Sequence, residues 1–158
     1  MRMSQHGLEL LEQWEGFKSE VYKDSAGLPT IGVGHLLTKS ELSSGKIVIN
    51  GVAVSYANGL TDQQVTNLLA QDVKPAEQCV NSGVKVSLNQ DQFDALVSFT
   101  FNVGGGAFTN STLLKVLNQG KYDQVPDQLR RWTRSGGKVV QGLVNRRENE
   151  IKLWNGDI

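Results

Sequence analysis

The sequence lacks the long apolar runs, the cysteine pairs and the net charge that mark several broad classes of protein. No hydrophobic run in its 158 residues exceeds a few positions. A membrane-spanning helix needs about 20 such residues and is excluded, so no stable membrane insertion is expected. The opening Met1-Arg2-Met3-Ser4-Gln5-His6-Gly7-Leu8 carries no run of signal-peptide length, and Glu9 and Glu12 fall where one would lie. The sequence is therefore read as having no secretory signal, and a substrate outside the cytoplasm would have to be reached with outside help. Cys79 is the single cysteine, which rules out an internal disulfide and leaves the fold resting on its core. No basic partner for a reactive thiol is evident, and Cys79 reads as a small buried hydrophobe on a helix. Zinc-ligand spacing, a phosphate-binding glycine loop and an aromatic nucleic-acid signature are all missing, so neither metal nor cofactor nor nucleic acid is expected.

What is present is an ordinary globular composition, 39% hydrophobic and 20% charged, at a length that suits one catalytic domain. Net charge is zero but unevenly placed. Residues 1–94 carry 7 basic and 11 acidic side chains, and residues 95–158 carry 9 and 5. The basic C-terminal part could attract an anionic polymer, although a solvated helical face accounts for it as well.

The hydrophobic pattern alternates between two regimes. Ser4 can cap a first helix with Leu8, Leu10, Leu11 and Trp14 on its stripe, and Gly16 stops it just after Glu15. Turn-rich segments follow. Residues 21–34 read as two strands around a turn, and Asn50-Gly51 as the tight turn of a second hairpin. From the capping-box pair Thr61 and Gln64 onward the spacing is helical: Val65, Leu68, Leu69 and Val73, then a helix capped by Asn89, then one opened by Ser111-Thr112. Val125, Leu129 and Trp132 mark a further helix broken by Gly136-Gly137, and Leu143 to Trp154 the last. The fold class is α+β: a small β-rich lobe over residues 16–60, inserted after the first helix, and a larger helical lobe from 1–15 plus 61–158.

Two carboxylates flank the start of the small lobe, Glu15 at a helix end and Asp24 at a strand end, with Thr30 across the turn. Cleaving a glycosidic bond needs two carboxyl groups with different tasks. One must give a proton to the leaving oxygen, and burial together with a helix C-terminus would favour that form of Glu15. The other must be ionised to activate water or attack the sugar, as a partly hydrated loop aspartate can be. The Thr30 hydroxyl can donate to Asp24 or hold a water. The separation of the two carboxyls, roughly 6.5–9.5 Å for inversion and 5–5.5 Å for retention, is not encoded in their spacing.

The surrounding residues are far more specific than the spacing. The segment from Trp14 to His35, with Glu15-Gly16, Tyr22-Lys23-Asp24 and Pro29-Thr30-Ile31-Gly32-Val33-Gly34-His35, closely resembles the active-site region of the tailed-phage lysozymes, the endolysin family also known as glycoside hydrolase family 24. The likeness continues in Leu88 to Leu96, Phe99 to Gly104, Phe108 to Leu114 and Gly142 to Glu148, and leaves out only residues 39–59, from which no function is read. The resemblance implies a lysozyme-like fold with a cleft between the lobes, and hydrolysis of the β-1,4 bond between N-acetylmuramic acid and N-acetylglucosamine in peptidoglycan without metal or cofactor. It implies Glu15 as general acid, Asp24 as the carboxylate that positions or activates water, and Thr30 as third active-site residue. Leu36, Phe101 and Ser111 fall where family members touch the sugar chain, and Asn102 where a polar side chain faces it. His35 would pair with Asp72, and Arg146, or Arg147 in its place, would pack near Glu15. The implied setting is a monomer held in the host cytoplasm until a separate membrane-permeabilising protein releases it onto the cell wall.

Other readings of the same residues stay open. A lytic transglycosylase would cut the same bond and leave an anhydro product, and a wall-binding module of the same fold would leave it intact. A basic nucleic-acid binder has only the C-terminal charge bias behind it. Gly32 and Gly34 read as strand glycines, Trp132 and Trp154 as core, and the two arginines either as ligands for wall phosphates or as inward-turned partners of an acid.

Overall fold

A computed structural model describes all 158 residues. The chain forms two compact units, Leu8–Asp72 and Met1–Gly7 with Val73–Ile158. The division differs from the 16–60 lobe expected from sequence, because flanking helical residues count with the strands. The reason is physical. Strands this short cannot bury a core on their own.

In the first unit, α1 (Gln5–Glu15, its first turn counted with the other unit) leads into β1 (Lys18–Lys23), β2 (Pro29–Gly32) and β3 (His35–Leu36). These strands form one antiparallel sheet in the order β1-β2-β3, with Tyr22 opposite Thr30 and Thr30 opposite Leu36. The turn between β2 and β3 needs Gly32 and Gly34 in left-handed conformations, at φ 65° and 67°. A short helix α2 (Lys39–Ser44) precedes the hairpin of β4 (Lys46–Ile49) and β5 (Val52–Ser55). Its turn is the expected Asn50-Gly51, with φ 52° and 78°. The helix α3 (Asp62–Asp72) closes the unit, capped by Thr61 and Gln64 as the sequence suggests. Its buried Val65, Leu68 and Leu69 face β2 and β4, and Thr66 reaches back to Glu12 of α1 at 2.6 Å.

The periodic stretch that begins at Thr61 does not run on through Val73. A separate helix α4 (Lys74–Gly83) starts there, with Pro75 in its first turn. The rest of this unit is α5 (Gln90–Val103), α6 (Gly105–Thr109), α7 (Thr112–Asn118), a 3-10 turn at Tyr122–Gln124, α8 (Val125–Arg130), β6 (Arg134–Ser135), β7 (Lys138–Val139) and α9 (Gln141–Trp154). The α5 helix, capped by Asn89, is the centre of the unit: every residue from Phe93 to Thr100 is buried, and α4, α6 and α9 pack around it. Gly136-Gly137 does more than break a helix. It forms the turn of the β6–β7 hairpin, with both glycines at positive φ. Trp132 lies just past α8, half-buried, its ring edge-on to Phe99 at 5.3 Å. Cys79 is half-buried on α4, so close to Gly105 that a Cβ there would come within 2.6 Å of its sulfur.

Inside this apolar unit sits a charged cluster. Glu150 is fully buried between Arg147, whose Nε lies 2.7 Å away, and Arg146, at 3.1 Å. Ser98 donates its hydroxyl to Glu150 at 2.6 Å. Burial pushes the Glu150 carboxyl above the usual glutamate range, and the guanidiniums of Arg147 and then Arg146 pull against it. Removing one member of such a cluster leaves the others charged in a dry interior. We predict that Glu150→Ala lowers the unfolding free energy by roughly 3 kcal/mol or more. Urea unfolding of the two proteins checks this, and a loss below about 1 kcal/mol would show the cluster to be solvated.

Candidate active site

Glu15 is the last residue of α1. The helix stops because Gly16 turns left-handed at φ 72°, its amide donating to the Glu12 carbonyl at 2.8 Å. The burial expected for Glu15 is absent. Residues 15–21 are all exposed, since the chain leaves the helix along β1, whose outer face nothing covers. Its place at the end of α1 is as expected.

Asp24 begins the turn that joins β1 to β2. Its Oδ1 accepts hydrogen bonds from the amides of Ala26 and Leu28, both at 2.9 Å, and its own amide donates to the Leu28 carbonyl at 3.0 Å. An aspartate at this position makes its own turn by capturing amides further along the loop. Thr30 is buried, and its hydroxyl donates to the Leu28 carbonyl at 2.9 Å rather than to Asp24. Thr30 therefore braces Leu28, and Leu28 holds Asp24. The second oxygen, Asp24 Oδ2, takes no part in this network.

His35, opposite Ile31 in the sheet, is bound at both ring nitrogens. Its Nδ1 meets Asp72 Oδ2 at 2.8 Å, and its Nε2 meets Glu41 Oε1 at 2.9 Å. The Asp72 hydrogen bond raises the imidazole from its ordinary 6.5 to about 9, overcoming burial, which acts the other way; the Asp72 charge and then Glu41 add to the rise. The Glu41 carboxyl lies below the usual glutamate range. Burial opposes that shift, but the Thr38 amide and the His35 ring outweigh it.

Leu36 is half-exposed beside Thr30. In the other unit Phe101 is half-buried and Asn102 exposed near the end of α5. Asn102 Oδ1 accepts from Arg147 Nη2 at 2.6 Å. Arg147 in turn lies over the Phe99 ring, 5.1 Å from its centre. Arg146 is buried with Nε and Nη2 on Ser98 and Nε on Glu150. Ser111 is buried as the cap of α7: its hydroxyl accepts the Leu114 amide at 3.1 Å and donates to the Phe108 carbonyl at 2.6 Å. Its contribution there is to fix the first turn of α7.

A carboxylate held by amides, a glutamate at a helix end and a buried threonine now lie within one compact unit. The family model described as phage lysozyme matches residues 12–150, which contain all three. The chain belongs to the phage lysozyme family. It is similar to the endolysin of Bacillus phage PZA, with 41% identity over 160 aligned residues covering 98% of this chain and 55% of that protein. The chain thus spans about half the length of that relative. A crystal structure of a phage P22 lysozyme mutant shares the fold, with a TM-score of 0.82, 35% identity, and 98% and 99% of the two chains covered. The muramidase domain of SpmX from Asticaccaulis excentricus matches with a TM-score of 0.78, 32% identity and 97% of each chain covered. The architecture is therefore lysozyme-like and α+β.

One residue bound to His35 is not found by reading the sequence: Glu41. It lies in the stretch from which no function was read, yet Thr38-Lys39-Ser40-Glu41 has the spacing of a capping box, and the box is formed. That signal gives the helix start but not the reach of the same carboxylate to His35.

The raised His35 value has a definite consequence for stability. A histidine with a higher pKa folded than unfolded stabilises fully below the unfolded value, and the contribution is lost as pH rises through the folded one. The window here runs from 6.5 to about 9. With His35 partly open to solvent, we expect unfolding free energy to fall by roughly 1–2 kcal/mol across it. His35→Asn should lack that fall. Stability curves for the two proteins that run parallel through this window would refute the assignment.

Proposed function

We propose that the protein is an endolysin: a glycoside hydrolase that cleaves the β-1,4 bond between N-acetylmuramic acid and N-acetylglucosamine in bacterial peptidoglycan. The observation that carries this reading is the Asp24 turn. A carboxylate is held by two amides through Oδ1, with Oδ2 left over, on the hairpin that follows the Glu15 helix end. Membership of the phage lysozyme family supports it, as do the names endolysin, lysozyme and muramidase borne by its relatives.

In this reading Glu15 donates its proton to the leaving glycosidic oxygen. Because Glu15 is exposed in the free protein, the sugar chain itself has to displace the water around it. Asp24 Oδ2 orients or deprotonates the attacking water, and Thr30 keeps the turn that aims Asp24. Leu36, Phe101 and Asn102 are the proposed sugar contacts, with Ser111 acting through the position of α7. His35, Asp72 and Arg146 are supporting residues. No step calls for a metal or cofactor.

The protein is proposed to act as a monomer, held in the host cytoplasm until a separate membrane-permeabilising protein lets it reach the wall. No helix is long and apolar enough to cross a membrane.

Mass spectrometry of fragments from purified peptidoglycan, with and without borohydride reduction, tests the reaction. Hydrolysis adds one water and leaves a reducible end, whereas an anhydro product would replace this reading with transglycosylation. Glu15→Gln should lower the cleavage rate by a factor of roughly 10² to 10⁴. Asp24→Asn should be comparably impaired and Thr30→Ala reduced by roughly tenfold, all three unfolding cooperatively. Near wild-type cleavage by the Gln variant would remove Glu15 from the acid role. For release, expression of the protein alone should leave cells intact, and added permeabiliser should lyse them. Prompt lysis on expression alone would contradict the proposed partner.

A further inference from the structure

Glu41 is a point of convergence that the reaction just described does not use. Its Oε1 accepts the Thr38 amide at 2.9 Å and faces His35 Nε2 at 2.9 Å. Its backbone carbonyl accepts the Tyr56 hydroxyl at 2.8 Å and the Gly45 amide at 2.9 Å. The helix that carries it, α2, buries no side chain. A helix without a core face is placed by its polar links, and here most of them pass through one residue.

A capping box alone asks less of Glu41. It needs only the bond back to the amide of the residue before the helix. The contact with His35 joins α2 to β3, and Asp72 joins the other nitrogen of the same ring to α3. A ring tied at one nitrogen can pivot about that bond, whereas a ring tied at both cannot. Fixing His35 fixes a strand of only two residues, His35 and Leu36. Leu36 stands opposite Thr30, and Leu37 donates its amide to the Pro29 carbonyl at 3.1 Å. From Thr30 the hydrogen bonds run to the Leu28 carbonyl and from the Leu28 amide to Asp24.

We propose that Glu41 is a positioning residue for glycoside hydrolysis: through His35 it sets the placement of β3 and thereby of Thr30 and the Asp24 carboxylate. The proposal rests on the roles given to Asp24 and Thr30 above. Glu41 is not among the groups proposed to meet substrate, so its expected effect falls on the rate of the chemical step. Small displacements of aligned groups weigh heavily on that step.

The experiment is a double-mutant cycle on soluble fragments of purified peptidoglycan, with kcat and KM measured below the unfolding temperature of each variant. Glu41→Ala should lower kcat roughly tenfold and leave KM within about twofold. Glu41→Gln keeps an acceptor oxygen at the same reach and should restore most of the rate. Adding Glu41→Ala to His35→Asn should cost little beyond His35→Asn alone, because both act through one contact. If Glu41→Ala does not fold, Glu41→Asp, which is too short to reach His35, takes its place in the cycle. The idea is overturned if kcat stays at the wild-type level, if the loss appears only in KM, or if the two single losses simply multiply. A wild-type protein that releases no fragments would instead overturn the proposed hydrolysis, and this inference with it.

Discussion

A single imidazole, held at both nitrogens, carries much of what the β-bearing unit needs in order to stay organised. The sheet that presents Asp24, Thr30 and Leu36 has strands of six, four and two residues. Ladder hydrogen bonds over such lengths do not make a self-standing sheet. The shortest strand, β3, is secured instead by His35, whose two partners come from α2 and α3. The β4–β5 hairpin is fastened in a related way, with the Gln71 side chain on α3 accepting the Asn50 amide and donating to the Val48 carbonyl. In both places a polar side chain makes up for a lack of apolar area.

The helical unit solves the opposite problem. It has apolar area in plenty, yet its centre holds Glu150, Arg146, Arg147 and Ser98. A hydrophobic cluster of the same volume would be at least as stable in many settings. What the charged cluster adds is direction. Arg147 is held by Glu150 at one end and reaches the Asn102 side-chain oxygen Oδ1 at the other, with its guanidinium carbon over the Phe99 ring. The end of α5, where Phe101 and Asn102 stand, is thus tied to α9 by bonds that fix orientation as well as distance.

Local signals in the sequence proved easy to read, and long-range ones were readable only through likeness. Ser4, Thr61, Asn89 and Ser111 cap helices where their spacing suggests, and Asn50-Gly51 turns a hairpin, because each depends on neighbours within a few residues. The contact of His35 with Asp72, 37 positions apart, follows from no local rule and was anticipated from the family pattern. Glu41 lay outside that pattern and was missed. The break at Val73 was missed because apolar spacing runs on past it, although Pro75 marks it. In sequence Gly136-Gly137 reads as a simple stop, since two glycines in left-handed conformations serve equally to end a helix or to turn a hairpin. The exposure of Glu15 could not be read at all: a residue's solvent contact depends on what the rest of the chain fails to cover.

The two carboxylates of the candidate site are prepared by different means, and that difference has a structural logic. Asp24 is organised within a loop of five residues, by amides of its own turn and by a threonine one strand position further on. Such a device is local to the hairpin. Glu15 stands at a helix end in a run of exposed residues. In the proposed reaction Asp24 is the group aimed at a water, and a fixed turn suits that role. In the same reaction the acid must meet an oxygen of the substrate, and the exposure of Glu15 is compatible with that.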